Sequence, residues 1–131
     1  MTRRELREQV FKLLFGLEFH EVSELPAQIA VYAEHEQLWD ETDGAYIREK
    51  CMDAAAHMEE IDNAVNEVSE GWKTTRMGKV ELTLIRLAVY EMRFEDGIPV
   101  RVAINEAVEL AKKYGSEDSP SFINGILGKL V

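Results

Sequence analysis

The stretch VELTLIRLAVYEM, residues 80–92, is apolar on nearly every side when it is wound into a helix. A helix with that pattern is normally buried on several sides, because an amphipathic surface helix would keep one polar face. We therefore predict that this segment is the central helix of the protein. Its residues Leu84, Leu87 and Ala88 are expected to be nearly inaccessible to solvent.

Apolar residues in the rest of the chain recur at spacings of three and four, which predicts further helices. Thr2 and Glu5 have the spacing of a capping box, so the first helix is expected to start at Arg3. The other predicted helices cover residues 26–36, 43 or 44 to 68, 99–114 and 119 to about 130. The connection at 71–78 is short and can carry a helical turn of its own. No alternation typical of strands is found, so we predict an all-α fold with six or seven helices.

The composition describes one domain and limits the class of protein. The chain has 131 residues, of which 46% are hydrophobic and 31% charged, with a formal net charge of −10. Such a charge argues against non-specific coating of nucleic acid or anionic membrane. The first twelve residues carry four cations against two carboxylates, whereas residues 13–49 carry one cation against nine carboxylates. The charges that interrupt the N-terminal apolar pattern exclude a signal peptide or membrane span, and we expect a soluble, intracellular protein.

The usual motifs of enzymes and metal sites are missing from the sequence. A single cysteine, Cys51, excludes an internal disulfide, fits a reducing compartment and falls on the apolar side of its helix, which predicts a buried structural thiol. His35-Glu36 begins a zinc-protease pattern, but Trp39 stands where the second histidine is required. Phosphate-binding glycine loops and nucleophile elbows do not occur. We predict a non-enzymatic protein without a metal or cofactor.

An arginine-rich start is one of two features that point to a function. Arg3 and Arg7 are four residues apart and share a helical face, while Arg4 lies to one side. The planar guanidinium donates several hydrogen bonds at once to phosphate or base edges. Cations at a helix N-terminus oppose the helix macrodipole, which favours a functional reason for them. A solvated helix face remains the alternative explanation.

The second feature is the segment from Val102 to Leu127. A helix is expected to stop at Gly115, a polar loop follows, and Ser119-Pro120 starts another helix. Asp118 is expected either to cap that helix or to lie exposed at its positive end. The alternative explanation is that these residues only connect two helices.

The chain resembles the NusB family of bacterial transcription antitermination factors along nearly its whole length. The matching stretches are Arg3-Arg4-x-x-Arg7-Glu8, Gly71-Trp72, residues 76–81, residues 85–91 and residues 98–127. The resemblance implies two small helical bundles packed together, acting as a single RNA-binding antitermination domain over residues 1–131. It implies binding of a short single-stranded RNA element, boxA, together with the ribosomal protein NusE. The pair would join a cytoplasmic RNA polymerase complex that resists termination, notably on ribosomal RNA operons.

The resemblance also implies roles for individual residues. The RNA-binding candidates are Arg3, Arg4, Arg7, Lys12 and Phe15. The NusE-binding candidates are Glu106, Asp118 and Phe122. A helical protein–protein adaptor with little RNA binding of its own is the alternative function. Clustering of the arginines beside an exposed aromatic would favour RNA, and local neutralisation by acidic side chains would favour the adaptor. Whether the free protein is a monomer or a homodimer stays open.

Overall fold

The computed structural model describes residues 1–35 and 39–131, and within those ranges it contains helices and turns but no strand. The described residues form seven α-helices, which confirms the predicted all-α class and helix number. These are α1 (Arg3–Phe15), α2 (Leu25–His35), α3 (Glu41–Ala56), α4 (Met58–Val68), α5 (Lys79–Phe94), α6 (Val100–Tyr114) and α7 (Ser119–Gly128). The chain divides into two compact units, Met1–Ala56 and His57–Val131. The predicted end of the second helix, Glu36, lies outside the described residues.

The first unit is organised by α1, which packs on α3, while α2 touches both. The predicted capping box is present: the Glu5 N–H donates to Thr2 Oγ1 at 3.1 Å, and the Thr2 N–H donates to Glu5 Oε1 at 2.8 Å. The N-terminal ammonium of Met1 donates to Asp43 Oδ2 at 3.1 Å, which ties the start of α1 to the first turn of α3. Together, the capping box and the pair between Met1 and Asp43 fix the position of the first turn of α1.

The prediction of one helix that starts after Thr42 or Asp43 and continues to Val68 is wrong, because the chain breaks at His57 between α3 and α4. His57 has φ −100° and ψ 10°, and its ring stacks on Phe94 with centroids 4.1 Å apart. The Ile61 N–H already donates to the His57 carbonyl at 2.9 Å, so helical bonding resumes immediately. For that reason the spacing of apolar residues does not reveal the break.

The second unit is built around α5, which packs against α4, α6 and α7. Leu84, Leu87 and Ala88 are 0%, 2% and 1% exposed, which confirms the predicted central helix. Burial of each of the two leucine side chains contributes on the order of 2 kcal/mol to stability.

The junction between α6 and α7 depends on a close approach at Gly115. A Cβ added to Gly115 would lie 2.6 Å from both Cβ and Oγ of Ser119 and 2.9 Å from the Ala111 carbonyl oxygen. Ser119 is buried, and its Oγ accepts the Ser116 N–H at 2.9 Å. Glycine therefore lets the chain turn tightly, and the turn places Asp118 directly before α7.

Candidate functional site

The basic start of the chain lies on the first turn of α1. Arg3 and Arg4 are both exposed. Glu5 is adjacent, but its carboxylate accepts the Thr2 N–H within the capping box, and this hydrogen bond lowers the pKa of the Glu5 carboxyl. The capping residues thus fix the backbone that carries the two exposed arginines.

The other RNA-binding candidates on α1 are less accessible. Arg7 is 6% exposed and has a partner within the protein. Lys12 is half-buried, with its Nζ 4.0 Å from Glu8 Oε1. Phe15 is half-buried and packs on Phe11 with ring centroids 6.0 Å apart. Of the five candidates, Arg3 and Arg4 are the two whose side chains are exposed.

Phe19 is an exposed aromatic that the sequence reasoning missed. It is 59% exposed, and its ring lies edge-on to Phe15 with centroids 5.4 Å apart. The signal was available, since the spacing of four residues places both rings on one side of a helical segment. An exposed ring is suited to stacking on an unpaired base.

A cavity of about 320 Å³ in the second unit is lined in part by residues just before and within α7. Asp118 and Phe122 both line it, so these two side chains face the same cavity. Asp118 is exposed and makes no capping hydrogen bond with its side chain, which rules out the expected cap and leaves the alternative of an exposed residue before the helix. Phe122 is half-buried. Glu106 lies on α6, is half-buried and is not among the residues lining this cavity.

The opposite wall of the cavity comes from the connection between α4 and α5. Trp72 is 54% exposed, and its ring meets Phe122 edge-on at 6.2 Å between centroids with an interplanar angle of 79°. Arg76 and Met77 also line the wall, next to the short 3-10 turn at Thr74–Arg76 that confirms the expected turn in this connection. The sequence alone did not assign these residues to a site; the available signal was a tryptophan, Trp72, directly after Gly71 in a short connection between two helices.

Neither feature has the composition of a catalytic centre. No group of three or more side chains that could hold a metal ion occurs within residues 1–35 and 39–131. Cys51 is fully buried, which confirms the predicted structural thiol, and burial raises its pKa to about 12. A thiol with that pKa is a poor nucleophile because it stays protonated.

Among the described helices, none is both long and apolar enough to cross a membrane.

The fold and these two features describe an all-helical protein with an exposed arginine pair, Arg3 and Arg4, and an open cavity lined by Trp72 and Phe122. Sequence comparison makes the assignment specific: the NusB family model matches residues 4–131, and the chain belongs to the NusB family. It is 54% identical over 131 residues to transcription antitermination protein NusB of Agathobacter rectalis, covering 98% of each chain. It is 47% identical to the same protein of Lachnoclostridium phytofermentans, covering 100% of this chain and 99% of the relative. The family assignment confirms the predictions of an antitermination factor and of a non-enzymatic protein.

Solved structures agree with the fold. NusB of T. maritima superposes with a TM-score of 0.88 at 34% sequence identity, covering 99% of this chain and 90% of that chain. A crystal structure of antitermination factors NusB and NusE in complex with dsRNA contains a chain that matches with a TM-score of 0.82 at 26% identity. That match covers 98% of this chain and 94% of the other.

Proposed function

We propose that this protein binds boxA-type single-stranded RNA together with the ribosomal protein NusE. The pair then joins a cytoplasmic RNA polymerase antitermination complex, notably on ribosomal RNA operons. Residues 1–131 act in this as one RNA-binding antitermination domain. The observation that carries joint binding of RNA and NusE is the near full-length similarity to a chain of the complex of NusB and NusE with dsRNA. The single-stranded boxA element and the RNA polymerase complex follow from membership of the NusB family.

Arg3 and Arg4 supply the first contacts to RNA in this proposal. Both are exposed on a turn that the capping box holds in place. Contacts to phosphates supply affinity, and unstacked bases supply sequence specificity. Arg7, Lys12 and Phe15 belong to the same proposed surface with smaller direct contributions, because each of them is buried or half-buried.

The acidic balance of the chain supports joint binding with a partner. The formal net charge is −10, and residues 13–49 carry nine carboxylates against one cation. These carboxylates repel a polyanion, so RNA binding is confined to places where cations gather. A second protein that adds its own RNA contacts then raises the affinity of the pair above that of either chain alone.

The cavity around Phe122 is the proposed contact for NusE. A half-buried aromatic ring beside an exposed one provides the kind of anchor that concentrates binding energy at protein interfaces. Asp118 is exposed beside it and accepts hydrogen bonds from a cation or backbone N–H of the partner. Glu106 on α6 completes the proposed NusE-binding set.

A titration of boxA-like RNA with and without NusE tests the proposal. We expect tighter RNA binding when NusE is present, and weaker binding when Arg3, Arg4 and Arg7 are all changed to Ala. NusE binding without any RNA binding by the pair would instead establish the adaptor alternative. Sedimentation of the free protein in the same buffer distinguishes a monomer from a homodimer.

A further inference from the structure

Asn66 lies near the end of α4 and contacts Thr74 with both ends of its side-chain amide. Its Oδ1 accepts the Thr74 N–H at 2.8 Å, and its Nδ2 donates to Thr74 Oγ1 at 3.3 Å. Its backbone carbonyl accepts a hydrogen bond from Lys73 Nζ at 2.7 Å. A carboxamide can make both side-chain contacts because it holds an acceptor and a donor side by side. Residues 73 and 74 are thereby tied to α4.

The tied residues belong to the segment that forms one wall of the cavity. Thr74 is the first residue of the 3-10 turn, so its N–H has no partner within that turn. Thr74 is also 6% exposed, and an unpaired N–H there would cost on the order of 1–3 kcal/mol. Asn66 supplies the missing acceptor.

Thr74 lies between Trp72 and Met77, which both line the cavity. The hydrogen bonds from Asn66 therefore hold the middle of this segment. On one side, Gly71 has φ +77°, and the Trp72 N–H makes a long hydrogen bond of 3.3 Å to the Ser69 carbonyl. On the other side, Met77 is buried and lines the cavity. The hydrogen bond at Thr74, at 2.8 Å, is shorter than the one at the Trp72 N–H, so Thr74 is the more firmly held part of the backbone beside Trp72.

We propose that Asn66 is a positioning residue for the cavity: by holding Thr74 it keeps the Trp72 ring edge-on to Phe122 and thereby sets the affinity for NusE. The inference rests on the proposed role of the cavity in binding NusE. Asn66 itself does not line the cavity and acts on the partner only through Thr74 and Trp72.

Asn66→Ala and Asn63→Ala form a matched pair for the test. Asn63 lies on the same helix and is exposed, so its change removes an amide without affecting the connection. NMR cross-relaxation between ring protons of Trp72 and Phe122 measures whether the two rings stay close together. Calorimetric titration with NusE measures the binding affinity. We expect Asn66→Ala to weaken the Trp72–Phe122 signal and to lower NusE affinity at least about fivefold. Asn63→Ala is expected to change neither quantity.

Asn66→Asp separates positioning from general stability. A carboxylate keeps the acceptor for the Thr74 N–H but opposes the macrodipole near a helix C-terminus, so the melting temperature is expected to fall. The ring signal is expected to persist, with NusE affinity within about twofold of the unchanged protein. Affinity that instead follows melting temperature across both Asn66 variants would overturn the inference. If the Ala variant does not fold, loss of the ring signal or of NusE affinity in the Asp variant, which keeps the acceptor for the Thr74 N–H, overturns the inference.

The outcomes separate this inference from the proposed function. An intact Trp72–Phe122 signal in Asn66→Ala overturns the positioning role. The positioning role is also overturned if Asn66→Ala loses the ring signal but keeps its NusE affinity, while Phe122→Ala weakens NusE binding. Unchanged NusE affinity in a folded Phe122→Ala protein overturns the proposed function of the cavity itself.

Discussion

Arg86 on α5 and Asp62 on α4 form a two-point ion pair, with Nε donating to Oδ1 at 2.9 Å and Nη2 donating to Oδ2 at 2.8 Å. The two side chains are 16% and 22% exposed, so solvent screens the pair only in part. Two parallel hydrogen bonds fix the orientation of the partners as well as their distance. The pair joins α4 to the central helix of the second unit.

Arg86→Lys is expected to lower the free energy of unfolding by about 1–2 kcal/mol, because an ammonium cannot reproduce both parallel bonds. Urea denaturation followed by circular dichroism measures the loss. Lys112→Arg serves as a control for the change of cation type, since Lys112 pairs with Glu109 at the exposed surface. A loss no larger than that of the control would show that the two-point geometry contributes nothing.

Leu87→Ala is expected to cost about 2–5 kcal/mol of stability, because it leaves a cavity in the most buried helix of the second unit. Chemical denaturation measures the change, and Val102→Ala on the exposed surface of α6 is a control that should cost much less. A loss below about 1 kcal/mol for Leu87→Ala would contradict the central position of α5.

The pair between Met1 and Asp43 predicts a dependence of stability on alkaline pH. The hydrogen bond to Asp43 raises the pKa of the N-terminal ammonium above its ordinary value of 8.0. The stabilisation is therefore present in full below pH 8.0 and is lost as the pH rises through the raised pKa of the folded protein. Melting temperatures between pH 7 and pH 10 should fall less in Asp43→Asn than in the unchanged protein. Parallel curves for the two proteins would show that this pair does not contribute.

Arg3→Ala and Arg4→Ala should each weaken RNA binding by roughly 1 kcal/mol or more and reduce its salt dependence. Neither change should lower the melting temperature appreciably, because both side chains are exposed. Arg7→Ala should lower the melting temperature as well, since Arg7 is buried. Fluorescence anisotropy with labelled boxA-like RNA measures affinity, and Arg101→Ala provides an exposed cationic control on α6. The RNA-binding surface would be refuted if a folded protein with Arg3, Arg4 and Arg7 all changed to Ala bound the RNA as tightly as the unchanged protein.

Asp118→Asn and Phe122→Ala should lower NusE affinity without unfolding the protein. Asp118 is exposed and its side chain makes no capping bond, so its change should leave the melting temperature nearly the same. Phe122 is half-buried, and its loss should cost less than the 3–5 kcal/mol typical of a core phenylalanine. Calorimetric titration with NusE, beside melting curves, measures both effects. Full binding by both folded variants would reject the assignment.

The helices of this protein were predictable because their signals are local. The capping box joins Thr2 to Glu5 within one turn, and the pattern at 80–92 needs no other part of the chain to show that α5 is buried. Helix ends follow from the same short-range chemistry, as at Gly115 and at Pro120. Spacing, capping and proline geometry act over a few residues, so they can be read from the sequence alone.

Tertiary packing decided the features that depend on residues far apart in the chain. The break at His57 coincides with a ring contact to Phe94, and nothing in the local spacing signals it. Arg7 is four residues from exposed Arg3 and lies on the same face of α1, yet it is buried. Burial depends on which elements surround a position on the helix, and spacing does not show this. The cavity exists because folding brings Trp72 against Phe122 across the second unit. The sequence thus determined which side chains are available on helices and turns, whereas packing determined which of them meet, since contacts between distant residues form only when the helices assemble.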